Sequence, residues 1–202
     1  MAIKTLRGSS QGVLKEFLGI LHQEDSYARA ARFEVVIQPP KSLTRPEGMH
    51  ASSALALSEF SKDGTNRNIS LKCNTVTMPG RTIAQVEDNT LQGPSRSFVT
   101  GTPTYADIQA QFTMLNSNGQ DRRFFEAWQG SAVSEADFSV NYYNDYVGQV
   151  DMYLLNEKNE RKYGIRLQEA FPKVIGDLAL NGEGKNQLAT MDITFSYRYW
   201  EI

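Results

Sequence analysis

One cysteine, Cys73, stands among 202 residues, which excludes an internal disulfide framework. Histidine is nearly as scarce. His22 and His50 are the two present, and neither has Cys, Asp or Glu neighbours at zinc-ligand spacing, so no metal centre is expected. No stretch approaches the ~18 apolar residues of a membrane span, and the N-terminus carries no secretory apolar core. The expectation is a chain that is cytoplasmic when made, with no membrane partner. An excess of one charge is missing too. With 21 Lys+Arg and 23 Asp+Glu the net charge is −2, leaving no basic footprint for gripping nucleic acid by its phosphates.

Catalytic patterns are equally absent. Gly8-Ser9-Ser10 is not the strand–turn–helix elbow of a serine nucleophile. Gly182-Glu183-Gly184-Lys185 lacks the earlier glycine and the following Ser/Thr of a phosphate loop, and its glycines suit the positive φ of a hairpin turn. Asn68-Ile69-Ser70 matches a glycosylation acceptor, which a chain without a signal peptide does not bring to the enzyme. No enzyme and no cofactor are expected.

What is present is β patterning. From Met191 to Tyr199 the odd positions read Met, Ile, Phe, Tyr, Tyr and the even ones Asp, Thr, Ser, Arg, the period of a strand with one packed face. Arg32–Ile37 reads as a first strand, stopped by Pro39-Pro40. Ile69–Val76 reads as another, with Ile69, Leu71 and a buried Cys73 on one apolar face. Thr82–Val86 and Ser97–Val99 flank a turn-rich stretch, and Ile108–Leu115 alternates cleanly. Gln120–Trp128 makes a short helix with Phe124, Phe125 and Trp128 on its apolar side. Val147–Leu155 and Tyr163–Leu167 read as a hairpin around Asn156–Lys162, and Leu178–Leu180 and Leu188–Trp200 as a second around Asn181–Gly184. The fold class is mainly β with α elements (α+β), an antiparallel sandwich or barrel with one internal helix.

Forty per cent hydrophobic residues and this length support one domain with an elaborated terminus or insertion. Residues 10–21 fit a short amphipathic helix bearing Val13, Phe17 and Leu21, with Leu14 and Leu18 beside them. The division expected is an arm over 1–31 and a β domain over 32–202. Within it, polar and breaker-rich residues 39–68, with a helical patch near Ser52–Phe60, form an inserted or extended loop. Residues 1–100 hold 12 Lys+Arg and 9 Asp+Glu and residues 101–202 hold 9 and 14, an asymmetry that suits head-to-tail association of copies.

In order along the chain, four segments resemble the tail tube proteins of contractile-tailed, T4-like bacteriophages. They are Leu71-x-Cys73 with Met78-Pro79-Gly80; Tyr105-x-Asp107 through Met114-Leu115-Asn116 to Phe125-x-x-Trp128-Gln129; Phe171-Pro172-x-x-Ile175-Gly176-Asp177-Leu178-x-Leu180; and Thr194-Phe195 to Tyr199-Trp200-Glu201. The resemblance covers about residues 32–202 and implies a structural virion protein. Its six-subunit rings would stack into the inner tube of a contractile tail, a conduit for DNA ejection. The partners implied are further copies of itself, the tail sheath protein, the baseplate and terminator proteins, and genomic DNA passing without sequence-specific binding.

A channel for DNA should not grip phosphates, so polar strand faces poor in Lys and Arg are candidates for its lining. These are Gln109, Gln111 and Thr113; Gln149 and Asp151; and Asp192, Thr194 and Ser196. Inter-ring contacts are expected from the hairpin over Gly80–Pro103, through Arg81, Glu87, Asp88 and Arg96, and from Val13, Phe17, Leu18 and Leu21 of the arm. Exposed ion pairs contribute only ~0–1 kcal/mol each, so apolar burial would carry most docking energy. Two alternatives remain at this point: a baseplate-proximal tube initiator of the same fold, and a monomeric β-barrel that binds a small ligand inside.

Overall fold

The computed structural model describes residues 14–15, 17–19, 27–40, 65–88, 93–115, 119–134, 138–178, 180 and 188–202. Nine strands and three helices are delimited among them, beside the helical residues 14–15 and 17–19. They are β1 (Phe33–Gln38), α1 (Thr65–Leu71), β2 (Cys73–Val76), β3 (Thr82–Asp88), β4 (Arg96–Thr104), β5 (Ile108–Thr113), α2 (Gln120–Ala132), α3 (Tyr143–Tyr146), β6 (Gly148–Leu155), β7 (Arg161–Ile175), β8 (Thr190–Ser196) and β9 (Tyr199–Glu201). Seven strands form one open antiparallel sheet in the order β1-β6-β7-β8-β5-β2, with β9 also on β7; β3 and β4 make a separate two-stranded ribbon. Among the described residues no helix is long and apolar enough to cross a membrane.

The chain forms two compact units. The smaller comprises Met1–Glu34 and Tyr153–Gly164. It is built on charge: Arg29 pairs with Glu157 at 2.9 Å, Arg161 pairs with Glu34 at 2.8 Å and lies 4.2 Å over the Tyr153 ring. Arg32 donates to the Glu157 carbonyl at 2.7 Å. The turn itself is tied by Asn156, whose Oδ1 accepts from the Lys158 and Glu160 N–H groups, while Asn159 supplies a φ of 61° that asparagine tolerates. The expected charged turn is therefore a hydrogen-bonded one.

The larger unit comprises Val35–Met152 and Ile165–Ile202. Alternation decides its core. Ile108, Ala110 and Phe112 of β5 and Met191, Ile193 and Phe195 of β8 are buried, and the two strands run in register from Ile108↔Phe195 to Thr113↔Thr190. The amphipathic α2 covers this face with Phe124, Phe125 and Trp128. Phe125 lies 5.2 Å from Phe112 and 6.1 Å from Phe195, and Trp128 lies 6.2 Å from Phe195, mostly edge-on, the arrangement ring quadrupoles favour. Trp128 Nε1 donates to the Tyr146 carbonyl at 2.8 Å, so its polar end is satisfied. Gly148 leaves room for that ring. A Cβ there would sit 2.6 Å from Trp128 and 2.5 Å from the Gln38 carbonyl oxygen.

Three local readings are corrected. Thr65–Leu71 is helical, so the strand expected over Ile69–Val76 begins only at Cys73. Ile69 and Ser70 are buried and Leu71 is exposed, which is helical spacing rather than alternation. Cys73 is half-buried, and burial pushes its thiol up to about 12. The partner of β8 is the end of β7, Phe171–Ile175, instead of Leu178–Leu180, and residues 181–187 lie outside the described residues. Finally, the last long strand breaks at Tyr197-Arg198 into β8 and β9.

That break faces a bend in β7. Glu169 has φ 56°, left-handed for a residue with a side chain, and the buried positions shift from Ile165 and Leu167 before it to Ala170 and Pro172 after it. The bend thus keeps both halves of β7 apolar inward. The Glu169 carboxylate accepts from Arg198 Nη1 at 3.0 Å. A second ionic tie fixes the start of α2. Lys72 Nζ meets Asp121 Oδ1 at 2.6 Å with both groups largely buried, and Asp121 sits in the first helical turn, where the helix dipole favours negative charge.

Candidate assembly surfaces

The face of β5 and β8 opposite the aromatic core is polar. Gln109 stands across from Thr194 and Gln111 from Asp192, with Gln111 Nε2 donating to Asp192 Oδ1 at 3.0 Å. Thr113 and Ser196 continue the same two rows. β2 extends the face with Thr75 opposite Gln111, and β7 with Val174 opposite Thr194. Gly176 N–H donates to the Asp192 carbonyl at 2.7 Å, and a Cβ on Gly176 would crowd that residue. The strands leave a shallow concavity of about 360 Å³ lined by Thr75, Thr77, Gln109, Gln111, Asp192 and Thr194 among others. Asp192 is the single charged side chain of its lining. A surface of amides, hydroxyls and one carboxylate offers no cation to pair with a phosphate.

Six of the eight residues expected on polar strand faces are brought together here. Gln149 and Asp151 are not, because β7 lies between β6 and β8 in the sheet. Asp151 is only 3% exposed. It pairs with Arg166 Nε at 3.0 Å and accepts from Gln149 Nε2 at 2.8 Å. The pair serves to fix β6 against β7.

The β3–β4 ribbon is the second surface. Every residue of both strands is exposed, including Ile83, Val86, Phe98 at 51% and Val99 at 71%. Register places Val86 opposite Phe98 on one face and Gln85 opposite Val99 on the other, so apolar groups point both ways. Glu87, Asp88 and Arg96 lie toward its turn, with Asp88 opposite Arg96. Arg81, at the base, is occupied: its guanidinium lies 5.5 Å from the centre of the Trp200 ring. In the arm, Leu14, Lys15, Phe17, Leu18 and Gly19 are helical and exposed, and Phe17 lies 6.3 Å from Tyr27. Val13, Leu21, His22, His50 and the helical patch near Ser52–Phe60 lie outside the described residues.

The expectations overlooked a polar cluster at the bend of β7. Tyr143 of α3 and Arg198 both reach Glu169. The Tyr143 hydroxyl first and the Arg198 guanidinium second hold the carboxyl below its ordinary value. Burial, and then the carboxylate, push the Tyr143 phenol up to about 12. Burial likewise raises Tyr197, with Asp107 and Tyr105 adding to it. A glutamate in the left-handed region leaves no mark in sequence, so no pattern pointed to this site. Among the described residues no group of three or more His, Cys, Asp or Glu is placed to hold a metal ion.

A family model described as phage tail tube protein matches residues 28–202. None of the curated proteins matches the sequence. Among solved structures, a chain of a sheath–tube complex from an extracellular contractile injection system in its extended state is similar at 13% identity. It has a TM-score of 0.55, over 96% of this chain and 97% of that one. A chain of the anti-feeding prophage baseplate gives 13% identity and a TM-score of 0.56 over 87% and 95%. A chain of the cap that terminates the anti-feeding prophage tube gives 12% and 0.56 over 100% and 97%. At such identities the likeness is one of fold.

Proposed function

The chain belongs to the phage tail tube protein family, structural proteins of the virion tail, and on that premise we propose that six copies close into a ring and that rings stack into the inner tube of a contractile tail, a conduit for the genome. The observation that carries this reading is the open sheet, whose terminal strands β1 and β2 have no strand on their outer sides among the described residues. Edges without a further strand are a hazard in a monomer and a joint in a closed ring. The polar face of Gln109, Gln111, Thr113, Asp192, Thr194 and Ser196 then lines the channel, where weak contacts let DNA slide. Gln149 and Asp151 stand apart from that lining, being engaged between β6 and β7.

Stacking falls to the ribbon, with Glu87, Asp88 and Arg96 at its far end and Arg81 at its base, and to the arm over residues 1–31 with Val13, Phe17, Leu18 and Leu21. Residues 32–202 are the tube domain, with 39–68 as its insertion. The sheath covers the outside, and baseplate and terminator proteins meet the two ends. The role is mechanical and non-enzymatic.

Electron microscopy of the purified protein tests this. Six-fold rings and tubes are expected, with antibody labelling all along the tail. Labelling at one end alone would make the protein the initiator at the baseplate. A chain that stays monomeric even when seeded with baseplates would overturn the proposal.

A further inference from the structure

α1 runs directly into β2, one end of the sheet, and touches β1, the other. The Ile37 N–H of β1 donates to Ser70 Oγ at 3.1 Å, a buried contact between residues 33 apart in the chain. The Arg32 carbonyl accepts from the Leu155 N–H, and the Gln38 carbonyl lies against Gly148. Antiparallel ladders repeat every two residues, so the even-numbered peptides of β1 face β6 and Ile37 faces away. Ser70 therefore occupies a donor on the open side of β1, where an added strand would pair.

We infer that α1 is a removable guard on this edge: it caps β1 in the free subunit and yields when a neighbouring copy adds a strand. The inference rests on the ring reading above. Seven residues are too few for a helix stable alone, and α1 has no acidic residue in its first turn and no basic residue in its last. Buried Ile69 and Ser70 hold it in place. A side-chain bond to a strand edge can be exchanged for a ladder of backbone bonds. The Lys72–Asp121 pair, just beyond the helix, keeps β2 anchored while α1 swings.

The test compares wild type, Ser70→Ala and Ser70→Thr in tube formation followed by light scattering and electron microscopy. Alanine, which cannot accept the bond, is expected to shorten the lag about threefold or more. Threonine, which can, should keep the wild-type lag. A folded Ser70→Ala chain with an unchanged or longer lag would overturn the guard. Should that variant not fold, a tube structure of the wild type decides: Ile37 N–H bonded to a neighbouring copy supports the inference, and Ile37 still on Ser70 refutes it. Wild-type and variant chains that both remain monomeric when seeded would remove the ring reading, and the guard with it.

Discussion

Trp128 and Phe98 are aromatic residues of the same compact unit in opposite circumstances. Trp128 is fully buried, ringed by Phe124 and Phe195, with its N–H bonded to the Tyr146 carbonyl. Phe98 sits on a ribbon whose two strands are exposed from end to end. Isolated two-stranded hairpins are marginal in water. The first region explains why the chain folds, and the second presents the kind of apolar surface that interaction sites have. Under the proposed stacking, stability and assembly fall to different parts of the chain, and substitutions can separate them.

The largest effect should come from the core. Trp128→Ala removes the ring that fills the space between α2 and Gly148, and should cost about 3–5 kcal/mol in chemical denaturation. A loss under ~1 kcal/mol would mean that the aromatic cluster does not dominate the fold. A moderate effect is expected at the bend, where charge rather than apolar area is at work. Glu169 has its folded-state carboxyl below its ordinary value of 4.5. Its contribution is present above that value and lost as pH falls through the lower folded one. Glu169→Gln should flatten the acid limb of a stability–pH curve while leaving neutral pH less affected, and an unchanged limb would discard the Tyr143–Glu169–Arg198 linkage. The smallest effect on the free subunit should come from the ribbon. Val86→Asp with Phe98→Asp should shift monomer stability by no more than about 0.5 kcal/mol, yet abolish stacking in sedimentation and microscopy. Unfolding of that double variant would show the ribbon to be part of the core.

How much of this was legible depended on whether the deciding contact was local. β8 could be read because alternation persists over Met191–Tyr197 with one face buried. The polar face followed from the same period, and register then joined Gln111 to Asp192. α1 was misread because Ile69, Leu71 and Cys73 alternate by chance across the junction of β2 with a helix too short to display its own period. The second half of β7 was missed since Pro172 and the left-handed bend at Glu169 interrupt the pattern. Asp151 looked solvent-facing because its partner, Arg166, belongs to another strand. The ribbon's role had a visible signal in Ile83, Val86, Phe98 and Val99, apolar residues on both faces of two short strands.

The position of β8 between β5 and β7 bears on how such a subunit is made. Of the nine described strands the eighth to be synthesised is an interior one, so β5 and β7 leave the ribosome with a gap between them. Until residues 190–196 emerge, neither strand has its partner on that side, and the aromatic face lacks Met191, Ile193 and Phe195. Folding of this sheet is thereby deferred until β8 has left the ribosome. Nascent chains on one polysome would be kept from maturing early, an advantage for a polypeptide proposed to join copies of itself.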